Sequence, residues 1–278
     1  MASVISSQLD FLSDLLSKAN PKPGLTPTKA GDMATTEKAV RESIIACGAT
    51  VVAAGLGGAL VGDISARFKD SLLITPSGAN YGDLRPAMIA RMPLVGEYGA
   101  WKGPRKPTGE WRIHLDIVRA RPDIGGIVRF QSPYATALAM AGKPILAAHS
   151  MIALFGAPII RCAKYAPAGT KELAGLALEA LDQGHAVLLS NYCALTTGPT
   201  LEAALVRARE LETLARLYAI ALSLGRPAIL SDEEVGRIGE RLKSNGGDVQ
   251  ARLAALVRTK SKRKAPAKIK RVARKRRS

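Results

Sequence analysis

The stretch Ile124–Met140, IGGIVRFQSPYATALAM, decides how this chain is read. Ile124 to Phe130 is a short apolar run opened by two glycines, which reads as a buried strand; Ser132-Pro133 makes a sharp turn, and Tyr134 to Ala141 reads as an apolar helix. A strand passing through a tight turn into a helix belongs to an α/β domain. Its end carries Arg129 and Gln131, a guanidinium and an amide at the mouth of a core. A charge there demands a partner or a task, because burying it alone is costly.

Outward from that stretch the pattern stays α/β. Thr36 to Ala54 carries Val40, Ile44, Ile45 and Val51 at helical spacing. Ile64 and Ala66 alternate with Ser65 and Arg67, and Leu72 to Thr75 forms a second strand across the Lys69-Asp70 turn, an antiparallel hairpin. Thr108-Gly109-Glu110 opens another helix, with Thr108 as its expected N-cap, Glu110 in its first turn and Pro122 after its end. Helix 170–183, strand 186–190, helix 200–224 and a polar helix over 232–256 complete the order. The expected architecture is a single α/β domain with helices on both sides of a mixed, largely antiparallel sheet.

The 278 residues, 47% hydrophobic, suffice for one sizeable core, and with 4% aromatics it is filled by Ala, Leu, Val and Ile. Cys47, Cys162 and Cys193 are too scattered for a disulfide framework or a CxxC clamp, which points to a reducing compartment. Residues 1–20 carry no secretory pattern and no run is continuous enough to span a membrane, so a soluble, cytoplasmic protein is expected. The net charge of +17 is concentrated: twelve Lys or Arg and no acid fall between Arg258 and Ser278. The expected organisation is an arm and loop over 1–37, one α/β domain over 38–230, a helix over 231–257 and a disordered basic tail over 258–278. Such a tail attracts nucleic acid or an anionic membrane surface without sequence preference.

VGDISARF, LLITPSGANYGDL, KPTGEWRIHLDIVRARPDIGGIV, SPYATALA and GTKELAGLALEALDQGHAVLLSN occur in an order and spacing that resembles the class II aldolase/adducin family over about residues 38–225. The resemblance implies a three-layer α/β/α sandwich and a homotetramer with active sites between subunits. It also implies a zinc held by a His-x-His pair at a strand end and a third His from a later strand. The matching positions here are Arg129, Gln131 and Tyr192, while Glu110 matches the family's acid/base carboxylate. Arg has no lone pair to give, Gln is a weak donor and a neutral Tyr is a poor ligand, so no zinc is expected. Ser150 stands where the family's aldolases place a proton-donating Tyr. The family's phosphate pocket matches Gly62-Asp63, Ser77-Gly78 and Thr108-Gly109, but Asp63 puts a carboxylate where a phosphate would sit, and repulsion disfavours a phosphorylated substrate unless Arg67 or another cation neutralises it.

Three readings follow, in this order. The first is a pseudo-aldolase scaffold or small-carboxylate binder, with Arg129 and Glu110 paired to fill the metal position. The second is a metal-independent carbon–carbon lyase for a small oxo- or hydroxy-acid, with Arg129 as electrophile and Glu110 as acid/base. The third is a polyanion-surface binder acting through the tail. His114 and His149 are read as structural, and Cys193 as an unreactive thiol.

Overall fold

The computed structural model describes residues 36–57, 62–78 and 80–244. Helix α1 (Glu37–Ala53) starts where the Thr36 hydroxyl accepts from the Ala39 amide at 3.2 Å, with Glu37 in the first turn. The hairpin follows as β1 (Ile64–Phe68) and β2 (Ser71–Ile74), then β3 (Ala90–Pro93), α2 (Trp111–Ala120), β4 (Gly126–Phe130) and α3 (Pro133–Met140). Short strands β5 (Ile145–Leu146), β6 (Ile159–Ile160) and β7 (Cys162–Ala163) lead to α4 (Lys171–Leu181), β8 (Ala186–Leu189), β9 (Cys193–Gly198), α5 (Leu201–Leu224) and α6 (Asp232–Ser244).

Seven strands form one sheet in the order β3-β2-β1-β4-β9-β8-β7, antiparallel throughout except for β7 and β8. Strand alternation divides the core. Ile64, Ala66, Val128 and Phe130 pack under α1, α3, α5 and α6, whereas Leu72, Ile74, Ile127 and Leu195 pack under α2 and α4. The three-layer α/β/α sandwich expected from the sequence is the observed fold. At Gly125 and Gly126 the start of β4 runs against the backbone that enters α5; a Cβ on Gly125 would lie 2.2 Å from the Pro199 carbonyl oxygen. No larger residue fits there without parting strand and helix.

The sequence signals show β1, β2, β4 and β8; the structure adds β3, β9 and the two-residue strands β5, β6 and β7, which are too short to show a period. β9 pairs with both β4 and β8, and its sequence CALTTG lacks the alternation that marks a half-buried strand because all six residues are buried. β3 was hidden among Pro and Gly turn signals. Helix α2 also begins later than expected. Thr108 is not its N-cap; Glu110 holds that position and makes no side-chain cap bond, so its carboxylate is free to turn elsewhere. Among the described residues no helix is long and apolar enough to cross a membrane. The arm, the end of the 231–257 helix and the basic tail lie outside the described residues.

Candidate active site

Strand parity sends Arg129 to a definite face. Its neighbours Val128 and Phe130 point to the α5 side, so Arg129 points with Ile127 toward α2, the helix that Glu110 precedes. The same rule places Asp63 and Ser65 on that face, opposite in sense to Ile64. Register then makes a pair. Ile64 stands across from Val128, one further step sets Asp63 across from Arg129, and the Arg129 amide donates to the Asp63 carbonyl at 2.9 Å.

The side chains close on one another. Arg129 Nε donates to Asp63 Oδ2 at 2.7 Å, Nη2 donates to the same oxygen, and Nη1 reaches Cys193 Sγ at 3.6 Å. The guanidinium also lies 5.0 Å from the centre of the Tyr192 ring. Only 8% of Arg129 is exposed. Burial alone would lower its pKa, but the Asp63 carboxylate, with smaller pulls from Cys193 and Tyr192, raises it above the usual guanidinium range. Its charge is therefore permanent.

The expected Arg129–Glu110 pair does not form. Register gives Arg129 to Asp63, and Glu110 finds other donors: Tyr192 Oη donates to its Oε1 at 3.0 Å and the Gly169 amide to its Oε2 at 3.2 Å. Burial pushes the Tyr192 phenol up, Arg129 pulls it back, and Glu110 adds to the rise, so it stays protonated across neutral pH. Gln131 is half-buried, its Nε2 donating to the Tyr192 carbonyl at 3.3 Å. Cys193 is buried and its thiol is pushed up to about 11, mainly by burial, which suits an inert thiol. Gly169 and Ser65 carry no sequence signal for this site, because they arrive through tertiary packing alone.

The anion-pocket residues fall in two groups. Loops 75–78 and 105–109 lie side by side: the Thr108 amide donates to Thr75 O at 3.0 Å, the Ser77 amide to Lys106 O at 3.1 Å, and Arg105 Nη2 to Ser77 O at 2.9 Å. Ser77, Gly78 and Gly109 are exposed, while Thr108 is buried, its hydroxyl accepting from the Glu110 amide at 3.3 Å. Gly62 and Asp63 lie against β4, where a Cβ on Gly62 would come within 1.6 Å of the Arg129 carbonyl oxygen. The Asp63 charge, expected to repel a phosphate, is cancelled by Arg129. Arg67 plays no part in this; it donates to the carbonyls of Val118, Arg121 and Ile124 at the end of α2.

The three histidines lie apart. His149 caps the short helix Ser150–Phe155 by accepting from the Met151 amide, His185 bonds Thr197 Oγ1 at 3.1 Å, and His114 bonds Ser65 Oγ at 2.8 Å instead of orienting Glu110. His114 is fully buried, and burial above all lowers its pKa to about 4. Its folded pKa lies below the unfolded value of about 6.5, so its contribution is complete above pH 6.5 and is lost as pH falls toward 4. The loss amounts to about 3 kcal/mol. Urea unfolding between pH 6.5 and 4 should show a shallower pH slope in His114→Gln than in the wild type; equal slopes would refute this assignment.

A zinc of the kind the family resemblance implies does not fit these residues. At position 129 stands a permanent cation, at 131 an amide turned to donate, and at 192 a protonated phenol that donates to Glu110 Oε1. Among the described residues no three His, Cys, Asp or Glu side chains converge as a metal would require.

The fold and this site define a member of a known class. Residues 42–219 match the class II aldolase and adducin N-terminal domain, and the chain belongs to that family. It is 42% identical over 212 residues to a 5-methylthioribulose-1-phosphate/5-deoxyribulose-1-phosphate aldolase of Rhodospirillum rubrum, spanning 76% of this chain and 95% of that one. It is 36% identical to an L-fuculose phosphate aldolase of Escherichia coli over 193 residues, 69% of this chain and 88% of the other. A solved L-fuculose 1-phosphate aldolase superposes with a TM-score of 0.71 at 33% identity, covering 76% of this chain and all of that one. These relatives overturn the readings drawn from the sequence. A scaffold without chemistry, a binder of small carboxylates, an oxo- or hydroxy-acid lyase and a tail-driven polyanion binder all give way, because the relatives are named as sugar-phosphate aldolases.

Proposed function

We propose that the chain is a carbon–carbon lyase that cleaves a small 1-phosphorylated ketose by a retro-aldol reaction. The observation that carries this is the 42% identity to a named aldolase over 95% of that protein's length. Two features support it. Glu110 keeps its carboxylate beside loops 75–78 and 105–109, whose glycines leave room for a phosphate to meet backbone N–H groups. The Arg129–Asp63 pair removes the local charge that would have opposed that phosphate.

In this reading Glu110 accepts the proton of the substrate hydroxyl whose carbon becomes the aldehyde. The carbon–carbon bond next to it breaks, its electron pair forms the enediolate of the three-carbon ketone phosphate, and the proton returns to carbon. The reaction is redox-neutral and needs no co-reactant, and no step is routed through a metal. A homo-oligomer belongs to the same reading, with Tyr134, Met140 and Tyr165 exposed on the α3 side and the loop after β7 as apolar surface to cover.

The test is turnover of 5-deoxyribulose 1-phosphate and fuculose 1-phosphate, read as release of dihydroxyacetone phosphate. Glu110→Gln should lower kcat about 100- to 10,000-fold, the range for losing a positioned proton-transfer group, while the protein still folds. Turnover of neither ketose by the wild type, or full activity in the variant, would overturn the proposal.

A further inference from the structure

We propose that the Tyr192 phenol, backed by Arg129 and Asp63, is the resident electrophile of this site, occupying the place and the task for which its histidine-bearing relatives use a metal. The inference rests on the aldolase reading above and adds the group that holds the enediolate.

Arg129 is nearly buried, and its Nε, Nη1 and Nη2 are all engaged by Asp63 and Cys193. Tyr192 is only partly buried, beside Gln131. Arg129 therefore acts through Tyr192 as a positioning residue. Its guanidinium against the ring, at 5.0 Å, opposes the burial that raises the phenol and favours negative charge building near Oη. Asp63 fixes the guanidinium in that place by register and by two bonds to one carboxylate oxygen. The arrangement is a preorganised dipole with a fixed cation behind it.

Tyr192 Oη donates to Glu110 Oε1 at 3.0 Å, so base and electrophile satisfy each other while no substrate is bound. A ketose entering between them exchanges that single bond for two. Its carbonyl oxygen accepts from Tyr192, and its hydroxyl donates to the freed Glu110 carboxylate. As the carbon–carbon bond breaks, negative charge grows on the carbonyl oxygen, and Tyr192 holds it by a hydrogen bond without giving up its proton. Glu110, now protonated, delivers its proton to the enediolate carbon. The Gly169 amide stays on Glu110 Oε2 throughout and keeps the carboxylate aimed.

The test uses the full chain, stripped with a chelator and assayed for metal content. The stripped protein should retain its aldolase turnover, and added zinc should not raise it. Tyr192→Phe keeps the ring and its contact with Arg129, so it should fold normally and lose about 100- to 1,000-fold in kcat with little change in KM, as for one oxyanion donor. Arg129→Lys should keep part of that activity, and Arg129→Gln should lose more. Binding of 2-phosphoglycolate, a planar carboxylate mimic of the enediolate, provides a readout without turnover. The stripped wild type should bind it, and Tyr192→Phe at least tenfold more weakly. Activity or binding that vanishes on stripping and returns with zinc would overturn this inference while leaving the aldolase reading intact. Undiminished kcat and binding in Tyr192→Phe would also overturn it, as would failure of the stripped wild type to bind the mimic. Absence of turnover in every preparation, with mimic binding preserved, would instead remove the aldolase reading.

Discussion

Asp63→Ala should destabilise the protein by about 3–5 kcal/mol, the range measured when one partner of a buried ion pair is removed. The reason is the state of Arg129, a guanidinium 8% exposed whose carboxylate partner would vanish while its own charge cannot. Cys193 and the Tyr192 ring remain beside it, but neither carries the negative charge that offsets desolvation. Removing both charges together is milder. Asp63→Leu combined with Arg129→Met should cost far less than Asp63→Ala alone, since apolar replacements of similar size leave nothing unpaired. Urea unfolding of the two variants and the wild type measures the difference. A loss under 1 kcal/mol in Asp63→Ala would mean that water or another group solvates Arg129, and the picture of a closed pair would be wrong.

Why that pair was not foreseen shows where sequence reading stops. Arg129 at a strand end and the hairpin of β1 and β2 were both legible, because period-two alternation and turn residues are local signals. The three-layer fold followed from the order of those elements. The partner of Arg129 did not, because it depends on register between β1 and β4, strands 66 positions apart at Asp63 and Arg129. The sequence joins Arg129 to Glu110 only because pairing a leftover carboxylate is the cheapest way to avoid an isolated buried charge, a matter of chemistry without register. Geometry reverses the assignment: Asp63 neutralises Arg129, and Glu110 is left for Tyr192 and Gly169. The consequence for function is large, since the objection to a phosphorylated substrate depended on Asp63 being uncompensated. β9 escaped for a related reason. A strand buried on both faces between β4 and β8 has no alternation to read.

Returning imidazoles to the three positions should create a zinc site. Position 129 lies near the end of β4 and 131 just past it, and 192 lies beside them, with the Gln131 amide 3.3 Å from the Tyr192 carbonyl and the Arg129 guanidinium 5.0 Å from the Tyr192 ring. Three imidazoles there converge toward Glu110 and Asp63, a donor set that suits zinc at about 2.0–2.1 Å per nitrogen. The triple variant Arg129→His, Gln131→His, Tyr192→His should therefore bind about one zinc per chain. Without metal it should unfold more easily than the wild type, because Asp63 loses its cation. With zinc at 100 times the dissociation constant it should regain about 2.7 kcal/mol, the increment set by mass action. The wild type should gain nothing from zinc, since a guanidinium, an amide and a protonated phenol offer the ion no donor set. Metal analysis and unfolding with and without zinc separate the cases. A wild type that takes up stoichiometric zinc and is stabilised by it would show that Arg129 leaves that position, and the electrophilic role given to Tyr192 would fall with it.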